Sequence, residues 1–287
     1  MIKQYPMSAT LSATGEQVIG TRILEAGAGD DIVLCVHGVG SRADRFRPTL
    51  EPLAEAGYHA YALDLPGHGF ATKGTLPFSV PFFAEYVAAI AAQLPAGRLT
   101  LLGTSLGGQI GGYLPLIDGA RIDRLAMIGT LGVVPLPEAE GRSINRVILR
   151  NRSVDDCVGK LRALLWDDSR VTRDWAEEES LINNSAGAAE TFTALGAYFE
   201  SGINDHLIID ALRERLGTLP MGILWGDQDV IVSVDTGRAS RKALPEVPFG
   251  WIRDTGHAPY WERPGDFVRA MQMIFDRSLR DTDEFWI

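Results

Sequence analysis

The stretch Gly103-Thr104-Ser105-Leu106-Gly107 constrains this chain more than any other. Arg98–Leu102 before it reads as a short buried strand, and the residues from Leu106 onward read as the start of a helix. A serine held in so tight a strand-to-helix turn takes strained backbone angles, and the residues two positions either side must lack side chains to clear it. The turn lifts the hydroxyl off the sheet and sets it beside the positive end of a helix. A chain with 31 glycines can produce a serine flanked by two of them by chance. The strand–turn–helix setting is what gives this match its weight.

At 287 residues, with 46% apolar and 22% charged residues, the chain suits one sizeable α/β domain carrying an insertion. A net charge of −10, with no block rich in lysine or arginine, argues against a nucleic-acid or anionic-membrane partner. No apolar run is long enough to span a bilayer. Met1–Pro6 lacks the apolar core and cleavage site of a signal peptide, so the expected location is cytoplasmic. Cys35, in a predicted strand, and Cys157, in a distant helical stretch, read as reduced thiols and not as a disulfide or a zinc site. Neither a GxxxxGK[ST] loop nor a dinucleotide GxGxxG follows a strand. The expected partner is therefore a small-molecule substrate, with no metal and no cofactor, and a homodimer is the one assembly in view.

Strand-like and helix-like segments alternate. Ser8–Leu11 and Gln17–Glu25 read as an antiparallel hairpin turning at Thr14-Gly15, and Ile32–Val36, His59–Leu63, Leu99–Leu102 and Leu125–Ile128 as strands. Asp44–Ala56 and Pro81–Leu94 read as helices. The alternation resumes at Met221–Trp225, with a helix near Ser233–Leu244, a strand at Phe249–Ile252 and a final helix from Pro264. Continuous apolar strands separated by helices predict a mostly parallel, eight-stranded sheet covered on both faces. Between them the pattern is helical only. Residues 134–215 are therefore predicted to be an inserted cap, and 1–133 with 216–287 the core. Arg142, Arg146 and Arg150 fall on one predicted helical face, which reads as solvated. The acidic tail Asp281–Ile287, with its aromatic end, is expected to pack back or to mediate self-association.

A serine hydroxyl is a poor nucleophile at neutral pH and needs a base within hydrogen-bond reach. Of five histidines, His257 has the fitting context, in a Gly256-His257 loop just after a predicted strand. A carboxylate must then hold its tautomer. Asp227 and Asp229 both follow the penultimate strand; Asp229 lies nearer the carboxyl edge of the sheet and is assigned the role, while Asp227 is expected to brace the turn at Gly226. No acid follows Leu125–Ile128 before Glu138. Backbone donors for a tetrahedral oxyanion should come from Leu106 and from Val39 in the His37-Gly38-Val39-Gly40 loop. His37 and His68 read as structural rings. Gly38, Tyr260 and the cap residue Trp166 are candidate substrate contacts, Trp261 is expected to pack beneath the loop, and Ser41 and Arg42 are minor candidates.

Together His37-Gly38, Asp64-Leu65-Pro66-Gly67-His68-Gly69, the Ser105 turn, Gly226-Asp227-Gln228-Asp229 and Gly256-His257 resemble the α/β-hydrolase superfamily. The cap stretch Leu164–Thr172 is similar to that of the meta-cleavage-product hydrolases, which split a carbon–carbon bond in ring-opened aromatic dienoates. Two positions depart from that group: Ala258 stands where it has tryptophan, and Glu179 where it has the cap arginine that holds the substrate carboxylate. A glutamate facing the pocket would repel an anion. The leading expectation is therefore hydrolysis of a neutral ester, thioester or lactone through Ser105, His257 and Asp229. The alternatives are carbon–carbon hydrolysis by the same triad, or a ligand-binding protein of low turnover on the same fold.

Overall fold

The computed structural model describes residues 1–11, 14–15, 17–275 and 284–287. Its strands are β1 (Lys3–Thr10), β2 (Val18–Ala26), β3 (Asp31–Val36), β4 (His59–Leu63), β5 (Arg98–Thr104), β6 (Arg124–Ile128), β7 (Met221–Gly226), β8 (Phe249–Ile252) and β9 (Glu284–Trp286). They form one sheet in the order β1-β2-β4-β3-β5-β6-β7-β8-β9. β1 and β2 are antiparallel to their neighbours, and every pair from β4 to β9 is parallel.

The strands read as unbroken apolar runs because both faces are covered. Along β3, Ile32, Leu34 and Val36 join a core with α2 (Val80–Ala91) and α3 (Leu106–Tyr113), while Val33 and Cys35 face α1 (Arg47–Glu55) and α11 (Pro264–Phe275). Sequence punctuation sets the helix ends. Ser79 caps α2 by accepting the Phe82 N–H at 3.3 Å, with Pro81 in the first turn, where no N–H is needed. Ser153 and Asp156 form a reciprocal capping box at the start of α5 (Val154–Leu164).

Between β6 and β7 the regular elements are all helical: α4 (Glu138–Ile144), α5, α6 (Arg173–Asn183), α7 (Ala188–Ser201) and α8 (Ile209–Glu214), with short 3₁₀ turns among them. α4 runs into a π-helical turn at Asn145–Leu149, and Arg142, Arg146 and Arg150 along this stretch are all exposed. α9 (Val234–Ala243) and α10 (Pro259–Glu262) complete the set. Among the described residues no helix is long and apolar enough to cross a membrane.

The sheet has nine strands, one more than expected. The tail residues Glu284–Trp286 pair parallel with β8, while residues 281–283 lie outside the described part. Three residues with a charged start give no strand pattern of their own; their strand character comes from the edge they complete. Arg253 N–H donates to Ile287 O (2.9 Å) and Ile287 N–H to Trp251 O (3.0 Å). Phe285 sits over Gly250, where a Cβ would lie 2.5 Å from its ring. Phe285→Ala should lower unfolding free energy by about 1–3 kcal/mol, less than a fully buried phenylalanine would. Removing residues 284–287 should bare the β8 edge and promote association. Urea melts and size-exclusion chromatography check both; an unchanged melt and a monomeric truncated chain would count against the packed-back tail.

Candidate active site

Ser105 joins β5 to α3 with φ 56° and ψ −119°, and among the described residues only Asp254 is another non-glycine with positive φ. Such a conformation costs about 1–3 kcal/mol and persists only where the surroundings impose it. Here they do. A Cβ at Gly103 would lie 2.2 Å from Gly107 O, and one at Gly107 would lie 2.2 Å from Val36 O. The serine backbone is tied on both sides, with its N–H donating to Ile128 O (2.8 Å) and its carbonyl accepting from Gly108 (3.0 Å) and Leu131 (3.3 Å).

The acid and the base arrive on the loops that follow β7 and β8. His257 follows β8, and its Nδ1 lies 2.6 Å from Asp229 Oδ2. Asp229 Oδ1 accepts the N–H groups of Ile231 (2.8 Å) and Val232 (3.1 Å), so the carboxylate is fixed in its loop after β7. With Nδ1–H donated to Asp229, the ring presents Nε2 as its basic nitrogen. Ser105 and His257 line one cavity. Asp227 stays out of this chain: its N–H donates to Ile252 O (3.1 Å), and its buried Oδ1 has no partner among the described residues.

Gly38 and Val39 lie beside the serine. A Cβ at Gly38 would come within 2.9 Å of Ser105 Cβ, so glycine lets this loop close on the nucleophile. Val39 lines the cavity and Leu106 is the first residue of α3, where a helix N–H has no partner of its own within the helix. His37 braces the loop. Its Nδ1–H donates to Gly38 O (2.7 Å) and its Nε2 accepts the Leu65 N–H (2.9 Å). Burial pushes the His37 ring down to about 4, and burial followed by the neighbouring His37 pushes His68 down to about 3. Both rings are neutral structural parts.

The cavity, about 470 Å³ including space open to solvent, is lined by apolar residues, Ile144, Ile148, Leu164, Ile231 and Trp261 among them, and by the polar Ser41, Arg45, Thr104 and Lys160. Tyr260 lines it, stacked on Phe46 with ring centroids 4.4 Å apart; Trp261, expected beneath the loop, lines it too. Two expected contacts are elsewhere. Trp166 is 55% exposed and outside the lining, because its backbone turns away to donate to the Glu262 carboxylate (2.7 Å). Glu179 is buried but does not face the cavity: Arg42, Arg45 and Lys160 all donate to its carboxylate. Burial alone would raise its pKa, but those three cations hold it well below the carboxylate range. The charge facing the cavity is thus cationic, the reverse of the expectation that Glu179 would repel anions there.

Arg45 and Lys160 carry no spacing signal that marks them, since their shared partner lies 134 residues from one and 19 from the other. Arg42 contacts Glu178 (2.6 Å) and Glu179 instead of the cavity. Among the described residues no three His, Cys, Asp or Glu side chains are gathered as a metal site.

A strained serine at a strand–helix turn, an Asp–His pair on the loops after β7 and β8 and an inserted helical segment are the arrangement of the α/β-hydrolase fold. The family model for the alpha/beta hydrolase fold matches residues 31–155, and the chain has that fold. It is 26% identical over 251 residues to the dihydrolipoyllysine-residue acetyltransferase component of the acetoin cleaving system of Cupriavidus necator; the match covers 87% of this chain and spans 64% of that relative. It is 26% identical over 280 residues to a 2-hydroxy-6-oxononadienedioate/2-hydroxy-6-oxononatrienedioate hydrolase of Klebsiella pneumoniae, covering 92% of this chain and 93% of that protein. Among solved structures, a bacterial membrane phospholipase A superposes with a TM-score of 0.72 at 26% identity, covering 96% of this chain and 87% of that one.

Two measurements follow from this geometry. Asp229→Asn should lower kcat by about 10²–10⁴-fold with the fold intact, whereas Asp227→Asn should cost far less; steady-state kinetics on the two variants decide, and equal losses would remove Asp229 from its place. The depressed His37 and His68 rings bind protons more readily unfolded than folded. Their stabilisation is full above the ordinary histidine value of 6.5 and is lost as pH falls from there toward about 4 and about 3. Near pH 5 each should cost on the order of 2 kcal/mol. Ring-proton NMR should show both rings untitrated at pH 5 while urea midpoints fall; a ring titrating near 6.5 would contradict the burial argument.

Proposed function

We propose that this chain hydrolyses a carbon–carbon bond next to a ketone, in a substrate of the meta-cleavage type. What carries the reading is the likeness, along 92% of the chain, to a hydrolase whose name specifies a 2-hydroxy-6-oxo dienedioate. The cation-lined cavity beside Ser105 supports it, since the objection drawn from Glu179 falls away once that carboxylate is spent on three cations.

In this reading Ser105 Oγ bonds to the ketone carbon as His257 Nε2 takes its proton. The Val39 and Leu106 N–H groups hold the resulting oxyanion. Collapse breaks the carbon–carbon bond; its electron pair passes into the adjoining unsaturated carbonyl system as a dienolate, whose carbon then takes the proton from His257 Nε2 and leaves the ring neutral. Water, deprotonated by His257, then releases the acyl group from Ser105. Asp229 keeps Nδ1–H in place and stabilises the imidazolium formed at each step.

The test is a direct comparison of rates. A 2-hydroxy-6-oxo-dienoate, followed by loss of its colour, should be cleaved with kcat/KM at least about 100-fold above that for p-nitrophenyl acetate, a margin larger than one apolar contact provides. Ser105→Ala should reduce turnover by about 10³-fold or more while the protein still folds. The opposite ratio would return the chain to carboxylic ester hydrolysis by the same triad. Tight binding with negligible turnover of both would make it a binding protein.

A further inference from the structure

The turn that offers the Val39 N–H is held from two sides, and one of them is the cap. Gly38-Val39-Gly40-Ser41 is closed by the Ser41 N–H donating to Gly38 O (3.2 Å). Gly40 stands third in the turn at φ 67°, a conformation that glycine takes without a steric penalty. The closing bond does not use the Val39 N–H. From the core, His37 Nδ1–H reaches the same Gly38 carbonyl (2.7 Å). From the cap, Lys160 of α5 donates to Gly40 O. Ile148 of the π-helical turn covers Gly40 as well, since a Cβ there would lie 2.5 Å from Ile148 Cγ2 and 2.9 Å from Ile148 O.

Peptide geometry makes a relay of these contacts. In a trans peptide the carbonyl and the N–H of one plane point opposite ways, so fixing either end fixes the other. Lys160 Nζ holds Gly40 O, and the same plane carries the Ser41 N–H to Gly38 O. Gly38 O in turn belongs to the plane whose other end is the Val39 N–H. Two peptide planes thus connect a cap ammonium to the oxyanion donor. Charge acts in the same direction, because a cation on the first carbonyl polarises each hydrogen bond after it and strengthens the last donor. Lys160 is 2% exposed, which leaves its charge little screened, and Glu179 of α6 holds the ammonium from its other side. Ile148 supplies the steric half of the hold, on the residue with the most backbone freedom in the turn.

We infer that Lys160 and Ile148 are positioning residues for the oxyanion hole, acting on the developing charge through the Gly40–Ser41 and Gly38–Val39 peptides. This rests on Ser105, His257 and the Val39 N–H being catalytic, but not on which bond is cleaved. It gives the cap a part in the chemical step besides enclosing the cavity. The core alone holds one end of the turn, through His37; the other end takes its place only when α5 and the π-helical turn are seated on Gly40.

Inactivation by diisopropyl fluorophosphate, a neutral probe, tests this. Ser105 Oγ bonds to phosphorus, fluoride leaves, the hydroxyl proton passes to His257, and the phosphoryl oxygen gains charge in the oxyanion hole. The probe has no carboxylate, so an ammonium that served only to meet an anionic substrate would not alter its rate. In Lys160→Met the limiting inactivation rate should fall at least about 10-fold, short of the roughly 10²–10³ that loss of a whole oxyanion donor costs. The half-saturating concentration should stay within about 2-fold of wild type, as for an interaction made only in the transition state. Ile148→Ala, which leaves every charge in place, should lower the same limiting rate about 3-fold or more through misplacement alone. Lys160→Arg should recover part of the methionine loss, and the pH midpoint of inactivation, which reports His257, should not move. Unchanged limiting rates in both variants would overturn the inference. So would a loss confined to the half-saturating concentration, or a displaced pH midpoint, since these put the effect on binding or on the base. If the methionine variant does not fold, Ile148→Ala and Lys160→Arg decide by the same measures. A wild type left unlabelled at Ser105 would remove the active site itself and this inference with it, whereas failed carbon–carbon cleavage in the turnover assay would leave these rates unchanged.

Discussion

Backbone crowding at the carboxyl end of β5 fixes the positions of everything else around the site. Val36 O at the end of β3 and the Gly103–Gly107 contact leave no room for a Cβ on either side of Ser105. The turn is consequently tight, the serine takes φ 56°, and α3 starts at once with Leu106. Because β5 is central and its neighbours β3 and β6 are parallel to it, their following loops all emerge on the same edge. The His37–Gly40 loop after β3, the Asp229 loop after β7 and the His257 loop after β8 meet there for that reason, not through any local attraction between them. Ligands at a parallel sheet bind outside its carboxyl ends on the same geometric grounds.

A second constraint joins the cap to this edge. Glu179 and Glu178 come from α6 and Lys160 from α5, whereas Arg42 and Arg45 come from the core loop before α1. Burying these charges is costly, and the cost is offset only while every partner is present. Removing one member would cost about 3–5 kcal/mol by the measure of other buried pairs, most of it for the charge left alone. This contact has one low-energy arrangement, with the cap seated. Aliphatic packing in its place would hold the cap as firmly but would put no charge at the cavity wall.

Much of this was legible in the sequence because it is local. The Gly103–Gly107 turn, the Gly256-His257 loop and the choice of Asp229 over Asp227 each rest on a few adjacent residues and their place relative to a strand. The helical insertion was legible from the loss of strand pattern after Leu125–Ile128. What stayed hidden depends on distant partners. Glu179 reads as a lone acid in Glu177-Glu178-Glu179 until Arg42 and Arg45, more than 130 residues earlier, are brought against it. Trp166 looks like a pocket aromatic until the backbone that carries it is drawn to Glu262. The ninth strand is three residues long and exists only because β8 offers an open edge.

The same dependence on partners governs the base. His257 N–H donates to Leu164 O at the end of α5 (2.9 Å), and the neighbouring Gly256 N–H donates to Glu262 Oε1 (2.6 Å). The other Glu262 oxygen accepts the N–H groups of Trp166 (2.7 Å) and Asp167 (3.3 Å), on the cap. One carboxylate thus bridges the histidine loop and the cap backbone, and a Cβ at Gly256 would meet Leu164 O at 2.7 Å. Burial raises the pKa of Glu262, opposed by the three N–H groups that point at it. A cap that lifted would take the Leu164 carbonyl from His257 and two of the three N–H groups from the Glu262 carboxylate. The loop that holds the base in register with Asp229 is therefore fully tied down only when the cap is closed over the substrate cavity.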